Sequence, residues 1–140
     1  MIILDTNVLS ELMKPSPLPQ VATWISNQTS TELFTTTITE AEIFYGIELL
    51  PAGKRREGLL AAAQAMFIED LNGRILGFES DAARTFAKVA AHRRKLGKPI
   101  SQADAQIAAI AQVSGAKLAT HNKADFADCG IDLLDPWEDF

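Results

Sequence analysis

The sequence predicts an α/β fold, a parallel sheet covered by helices on both faces. Short apolar runs rich in Ile, Leu and Thr fall at 2–4, 32–37, 74–78, 116–120 and 131–134, and helical apolar spacing fills the gaps between them. Strands alternating with helices imply βαβ crossovers, which make the strands parallel and place them beneath two helical layers. The first run, Ile2-Ile3-Leu4, is apolar at successive residues, as a strand buried on both faces must be.

Each element has its own signal. After the first strand, Val8, Leu9 and Leu12 carry a helical spacing. KPSPLP at 14–19 reads as a loop, too short to link two domains. Val21, Trp24 and Ile25 mark a second helix. The 32–37 strand leads to a third with Ile43, Ile47 and Leu50, and a fourth follows through Leu59, Leu60, Ala63, Met66, Phe67 and Leu71. Beyond the 74–78 strand, Ala83, Phe86, Ala87 and Ala90 mark a fifth helix. Ala103, Ile107, Ile110 and Ala111 mark the last, ahead of the closing strands.

At 140 residues the chain reads as a single domain over 1–140, long enough to bury roughly two-thirds of its unfolded surface. Thirteen Lys and Arg against eighteen Asp and Glu give a net charge of −5, which weighs against nucleic acid as a partner unless the basic residues cluster. They do, as KRR at 54–56 and HRRKLGK at 92–98; each run reads as a solvated helix end or as phosphate contacts. Trp24, Phe44 and Tyr45 read as core or dimer contacts. The one cysteine, Cys129, excludes an intramolecular disulfide and reads as a buried space-filler. With no basic leader and no apolar run of membrane-spanning length, the expected location is the cytoplasm, with no membrane partner.

The chemistry lies in acids near strand ends. Ligands of open α/β sheets bind beyond the carboxyl ends of the strands, and Asp5 directly follows the first. TITEAEIFYG offers Glu40 and Glu42, PISQADAQIAAIA offers Asp104, and KLATHNKADF offers Asn122 and Asp125. Each also has a plain structural reading. Thr39-x-x-Glu42 and Ser101-x-x-Asp104 match capping boxes, and Asp5 is placed to cap the next helix. Asp104, however, shares a helical face with Ile107, Ala108 and Ala111, which turns its carboxylate inward. Glu42 points over Gly46, a mid-helix glycine expected to mark close backbone approach. Glu40, on another face, reads as a solvated first-turn acid. No Lys or Arg lies within a few residues of Asp5, Glu42 or Asp104, so a hard divalent cation such as Mg²⁺ or Mn²⁺ is the simplest neutraliser. His92 and His121 have no metal-ligand spacing, and His121 reads as a solvated loop residue. An acidic, cation-binding pocket favours phosphodiester or phosphate-ester hydrolysis.

Four blocks, MIILDTNVLSEL, TEAEIFYGIELL, ISQADAQIAAIA and LATHNKADF, together with the closing DPWEDF, resemble the PIN-domain ribonucleases. The similarity is greatest to VapC-type toxins of the FitB-like branch. The resemblance implies a three-layer α/β/α sandwich with a central parallel sheet. It also implies Mg²⁺- or Mn²⁺-dependent endonucleolytic cleavage of RNA, a homodimer, and a cognate antitoxin. By motif match, Asp5 and Asp104 become metal ligands and Glu42 the third acid. Thr6, Asn7, Thr120 and Asn122 shape the pocket and its substrate side. The family's fourth acid falls where this chain has Asn122 or Asp125, with Asp125 favoured.

Two other readings compete. A receiver-like signalling domain would need paired acids after the first strand, an acceptor Asp after a central strand and a late lysine; the first two are missing here. A catalytically inactive PIN module kept as an interaction domain would be signalled by Asn122 in place of an acid.

Overall fold

The computed structural model describes residues 1–139. Among these, five strands form one sheet: β1 (Ile2–Leu4), β2 (Leu33–Thr36), β3 (Ile75–Leu76), β4 (Lys117–Ala119) and β5 (Leu133–Leu134). Its order is β3-β2-β1-β4-β5, every neighbouring pair parallel. The chain steps outward from β1 through β2 to β3, then crosses back to lay β4 on the other side of β1. The order therefore reverses at the β1/β4 crevice, the place where a doubly wound sheet opens to receive ligands.

Six α-helices cover the sheet: α1 (Thr6–Leu12), α2 (Pro19–Ser26), α3 (Thr37–Glu48), α4 (Lys54–Ala65), α5 (Ser80–Lys95) and α6 (Gln102–Ser114). The two faces bury separate cores. Ile3 and Leu118 meet the buried side chains of α5 and α6, including Ile107 and Ile110. Leu4, Leu33 and Ala119 meet Val8, Trp24, Ile43, Ile47 and Phe67 from α1 to α4 and the turn beyond. Ile3 is 0% exposed and Leu4 2%, so adjacent residues of β1 serve opposite cores. This is the expected three-layer sandwich.

Three helices differ from their sequence signals. The buried line of α5 is Ala82, Val89 and Arg93 with Phe86 half-buried beside it, while Ala83 and Ala87 face solvent. Alanine is tolerated on either side of a helix, so its spacing is a poor guide to the inward face. The pattern through Met66 and Leu71 is real, but α4 passes there into a π-helical turn, Met66–Asp70, closed by Leu71 N–H donating to the Met66 carbonyl. α3 starts at Thr37, two residues before Thr39, because β2 runs into it without a loop. Its cap is Thr36, whose hydroxyl accepts the Thr39 N–H at 3.1 Å. The Thr39-x-x-Glu42 capping box is thus absent, and Glu42 lies in the second turn. The Ser101 cap is present: its hydroxyl accepts the Asp104 N–H at 3.1 Å. α6 ends at Gly115, whose φ of 64° is the left-handed stop that glycine adopts most readily.

Candidate active site

Asp5 ends β1, continues the sheet and opens α1. Its N–H donates to the Ala119 carbonyl at 3.0 Å, and Oδ1 accepts the Thr6 N–H at 2.8 Å. Oδ2 accepts the Thr120 hydroxyl at 2.8 Å and Asn7 Nδ2 at 3.3 Å. The expected helix cap and the expected site acid are the same carboxylate. Asp5 is only 5% exposed, and burial pushes its carboxyl up to about 6 against the pull of these donors, with Asp104 and Glu42 adding smaller upward pushes.

The other acids gather around it. Glu42 is exposed, and its Oε1 accepts the Thr6 hydroxyl at 2.9 Å, tying the second turn of α3 to the start of α1. Asp104 sits half-buried in the first turn of α6. Burial raises its carboxyl, the Ser101 hydroxyl lowers it, and Asp125 and Glu42 raise it further. Asp125 lies in a short 3₁₀ turn after β4, Lys123–Phe126. All four acids line one cavity of about 520 Å³, together with Thr6, Asn7, Asn122, His121 and a fifth acid, Glu11, which is paired with Lys14 at 2.9 Å. Glu40 is not among its lining residues.

The residues expected on the substrate side divide into two kinds. Asn7 and Asn122 line the cavity, but Asn7 also spans it, its Oδ1 accepting the His121 N–H at 3.1 Å. Thr120 is fully buried behind Asp5 and accepts the Asn122 N–H at 3.1 Å, so it positions the loop and does not reach the cavity. Both asparagine and acid, Asn122 and Asp125, face the cavity, and it is Asp125 whose charge is felt at Asp104. Gly46 has nothing within 4 Å of where a Cβ would stand, so no backbone approaches it. Its bare position instead opens a groove next to Glu42, lined by Ile43, Ile47, Leu50 and Leu59.

Two features of the site carry weak sequence signals. Arg93, read as one of a basic run, is turned inward and 5% exposed. Its Nη1 donates to the carbonyls of Asp125 at 2.8 Å and Ala127 at 3.0 Å, and its Nε donates to Lys98 at 2.7 Å. It holds the Asp125 turn while its charge favours ionised Asp104. Its spacing four residues after Val89 was the available clue. Trp137, beyond the last strand, also lines the cavity. Cys129 is buried as expected.

Among the described residues, Asp5, Glu42, Asp104 and Asp125 form no ion pair with a basic side chain. A buried carboxylate left without a cation, in a cavity of hard oxygen donors, fits a divalent metal. Among the described residues, no three acidic, His or Cys side chains close on a common point.

Comparison with known proteins shows the family and the fold. The PIN domain family model matches residues 2–131. The chain is 41% identical to a VapC ribonuclease, Y4jK, of Sinorhizobium fredii, with 99% of each chain covered. It is 32% identical to Toxin FitB of Neisseria gonorrhoeae, covering 99% of this chain and 100% of that one. The solved structure of FitAB bound to an IR36 DNA fragment superposes with a TM-score of 0.91 at 32% identity, over 99% of this chain and 96% of that chain. With its parallel five-stranded sheet and its acids meeting at the β1/β4 crevice, the chain belongs to the PIN domain family.

Proposed function

We propose that this single-domain chain is a divalent-metal-dependent endoribonuclease and the toxin half of a toxin–antitoxin pair. The observation that carries the reading is Asp5, a buried carboxylate raised by its own burial and set in the cavity that Glu42, Asp104 and Asp125 also line. The relatives named ribonuclease and toxin supply the substrate class. Mg²⁺ or Mn²⁺ suits the all-oxygen donor set. Asp5 and Asp104 would hold the ion. When bound, it supplies positive charge against the scissile phosphate and makes an attacking water more acidic. Glu42 and Asp125, the exposed members, accept hydrogen bonds from that water and turn it toward phosphorus. Thr120, Thr6 and Asn7 keep the Asp5 carboxylate oriented throughout.

Two partners follow from the toxin reading: a cognate antitoxin and a second copy of the chain. Tyr45 and Leu49 on α3 are each 67% exposed and Ile68 is 69% exposed, apolar surface that pairing would cover. The cytoplasm is where such a protein meets RNA, and among the described residues no helix is long and apolar enough to cross a membrane.

The direct test is cleavage of total RNA by wild type and Asp104→Asn with Mg²⁺, with Mn²⁺ and with chelator. Metal-dependent fragments that Asp104→Asn loses are the expected result. No cutting under any condition, by folded protein free of antitoxin, would overturn the assignment.

A further inference from the structure

His121 and Trp137 lie face to face on the rim of the acidic cavity, their ring centroids 4.3 Å apart and their planes 26° from parallel. Several contacts fix them there. Asp135, 3% exposed, accepts the Trp137 N–H at 2.9 Å and places its Oδ1 3.4 Å from His121 Nδ1. The Asp135 N–H in turn donates to Asp139 Oδ2 at 2.6 Å, and the Trp137 carbonyl accepts from Gln20 Nε2 at 3.0 Å. The His121 N–H is held by Asn7. Trp137 also packs against the sheet's α1–α4 core, while the His121 side chain stays 48% exposed.

The result is a flat π surface with one side backed and the other open beside the carboxylates of the cavity. Those carboxylates repel an anionic phosphate at the rim, but they do not repel an uncharged planar ring. Unpaired bases stack on His and Trp faces, whereas bases inside a duplex already stack on their neighbours. We propose that the His121–Trp137 pair is a subsite for one unpaired nucleobase of the RNA strand, next to the phosphate that is cut. The proposal rests on the ribonuclease reading and adds to it the two residues on which a base beside the scissile phosphate stacks.

The test uses the fluorescence of Trp137, isolated by Trp24→Phe because Trp24 is the only other tryptophan. With Ca²⁺ present, this protein is titrated with a mixed-sequence single-stranded oligoribonucleotide, with its duplex, and with an abasic ribose-phosphate chain of equal length. Quenching by the single strand alone is expected. His121→Ala should weaken that binding and raise KM for cleavage by about tenfold, near the worth of one stacked base, and His121→Phe should restore both. Equal quenching by the abasic chain, or an unchanged KM in His121→Ala, would overturn the subsite. So would His121→Phe failing as His121→Ala does, which would make the imidazole a phosphate contact. Wild type that neither binds nor cuts RNA with Mg²⁺ or Mn²⁺ would overturn the ribonuclease reading along with the subsite. Cutting with intact KM in His121→Ala would overturn the subsite alone.

Discussion

Three donors converge on the Asp5 carboxylate, yet burial still leaves its proton bound up to about pH 6. An ordinary carboxyl of 3.8 in the unfolded chain binds that proton less tightly. Folding therefore takes up a proton between about pH 4 and pH 6, and the stability this contributes at low pH is lost as pH rises through about 6. Asp5→Asn removes the effect. In calorimetry with chelator, the melting temperature of Asp5→Asn relative to wild type should climb from pH 4.5 to pH 7.5, and adding a divalent cation at pH 7.5 should narrow the gap by stabilising wild type alone. A gap independent of pH would contradict the burial account. RNA cleavage by this variant should be lost. Asp5 was legible from sequence because it directly follows a strand. That one carboxylate would serve as both cap and site acid was not, since the two readings predict the same residue type.

Elements deliver the remaining acids, and α5 does so indirectly. Arg93 leaves the end of α5 to hold the carbonyls of Asp125, Ala127 and Lys98. Arg93→Met leaves these carbonyls without their shared donor, which should destabilise the fold by about 2–4 kcal/mol in urea titration. It should also weaken divalent-cation binding more than an equally destabilising core change such as Val89→Ala. Equal metal affinity in the two variants would reduce Arg93 to a structural clamp. Within HRRKLGK the sequence offers four interchangeable cations after His92, and helical period alone does not say which one turns inward. The period was sharper where branched side chains mark it, as with Ile107 and Ile110 in α6, both essentially buried. The start of α3 was misplaced for a local reason: Thr36 and Thr39 both have a cap's chemistry, and only the direct join from β2 chooses between them.

Over the whole molecule, a net charge of −5 and an acidic cavity must still admit a polyanion. The KRR run does not close a helix, as its charge would favour, but opens α4, which points it to another use. Arg55 lines the groove beside the cavity and Lys14 lines both; Lys14 is paired with Glu11 at 2.9 Å and Arg56 with Glu48 at 2.7 Å. Lys14→Ala and Arg55→Ala should each weaken RNA binding uniformly across sequences and flatten its salt dependence by about one phosphate's worth. A sequence-dependent loss would instead make them readers of bases. The sheet order has a consequence in time as well as in space. β1 is central, yet Asp5 is bonded to Thr120 across 115 residues, and Asp104, Asn122 and Asp125 all belong to the last third of the chain. A chain leaving the ribosome carries Asp5 and Glu42 early, at roughly 5–20 residues per second, but has nothing to set opposite them until α6 and β4 emerge. The acidic cavity cannot close before synthesis is nearly finished, and a chain cut short of α6 and β4 lacks Asp104, Thr120 and Asp125 altogether.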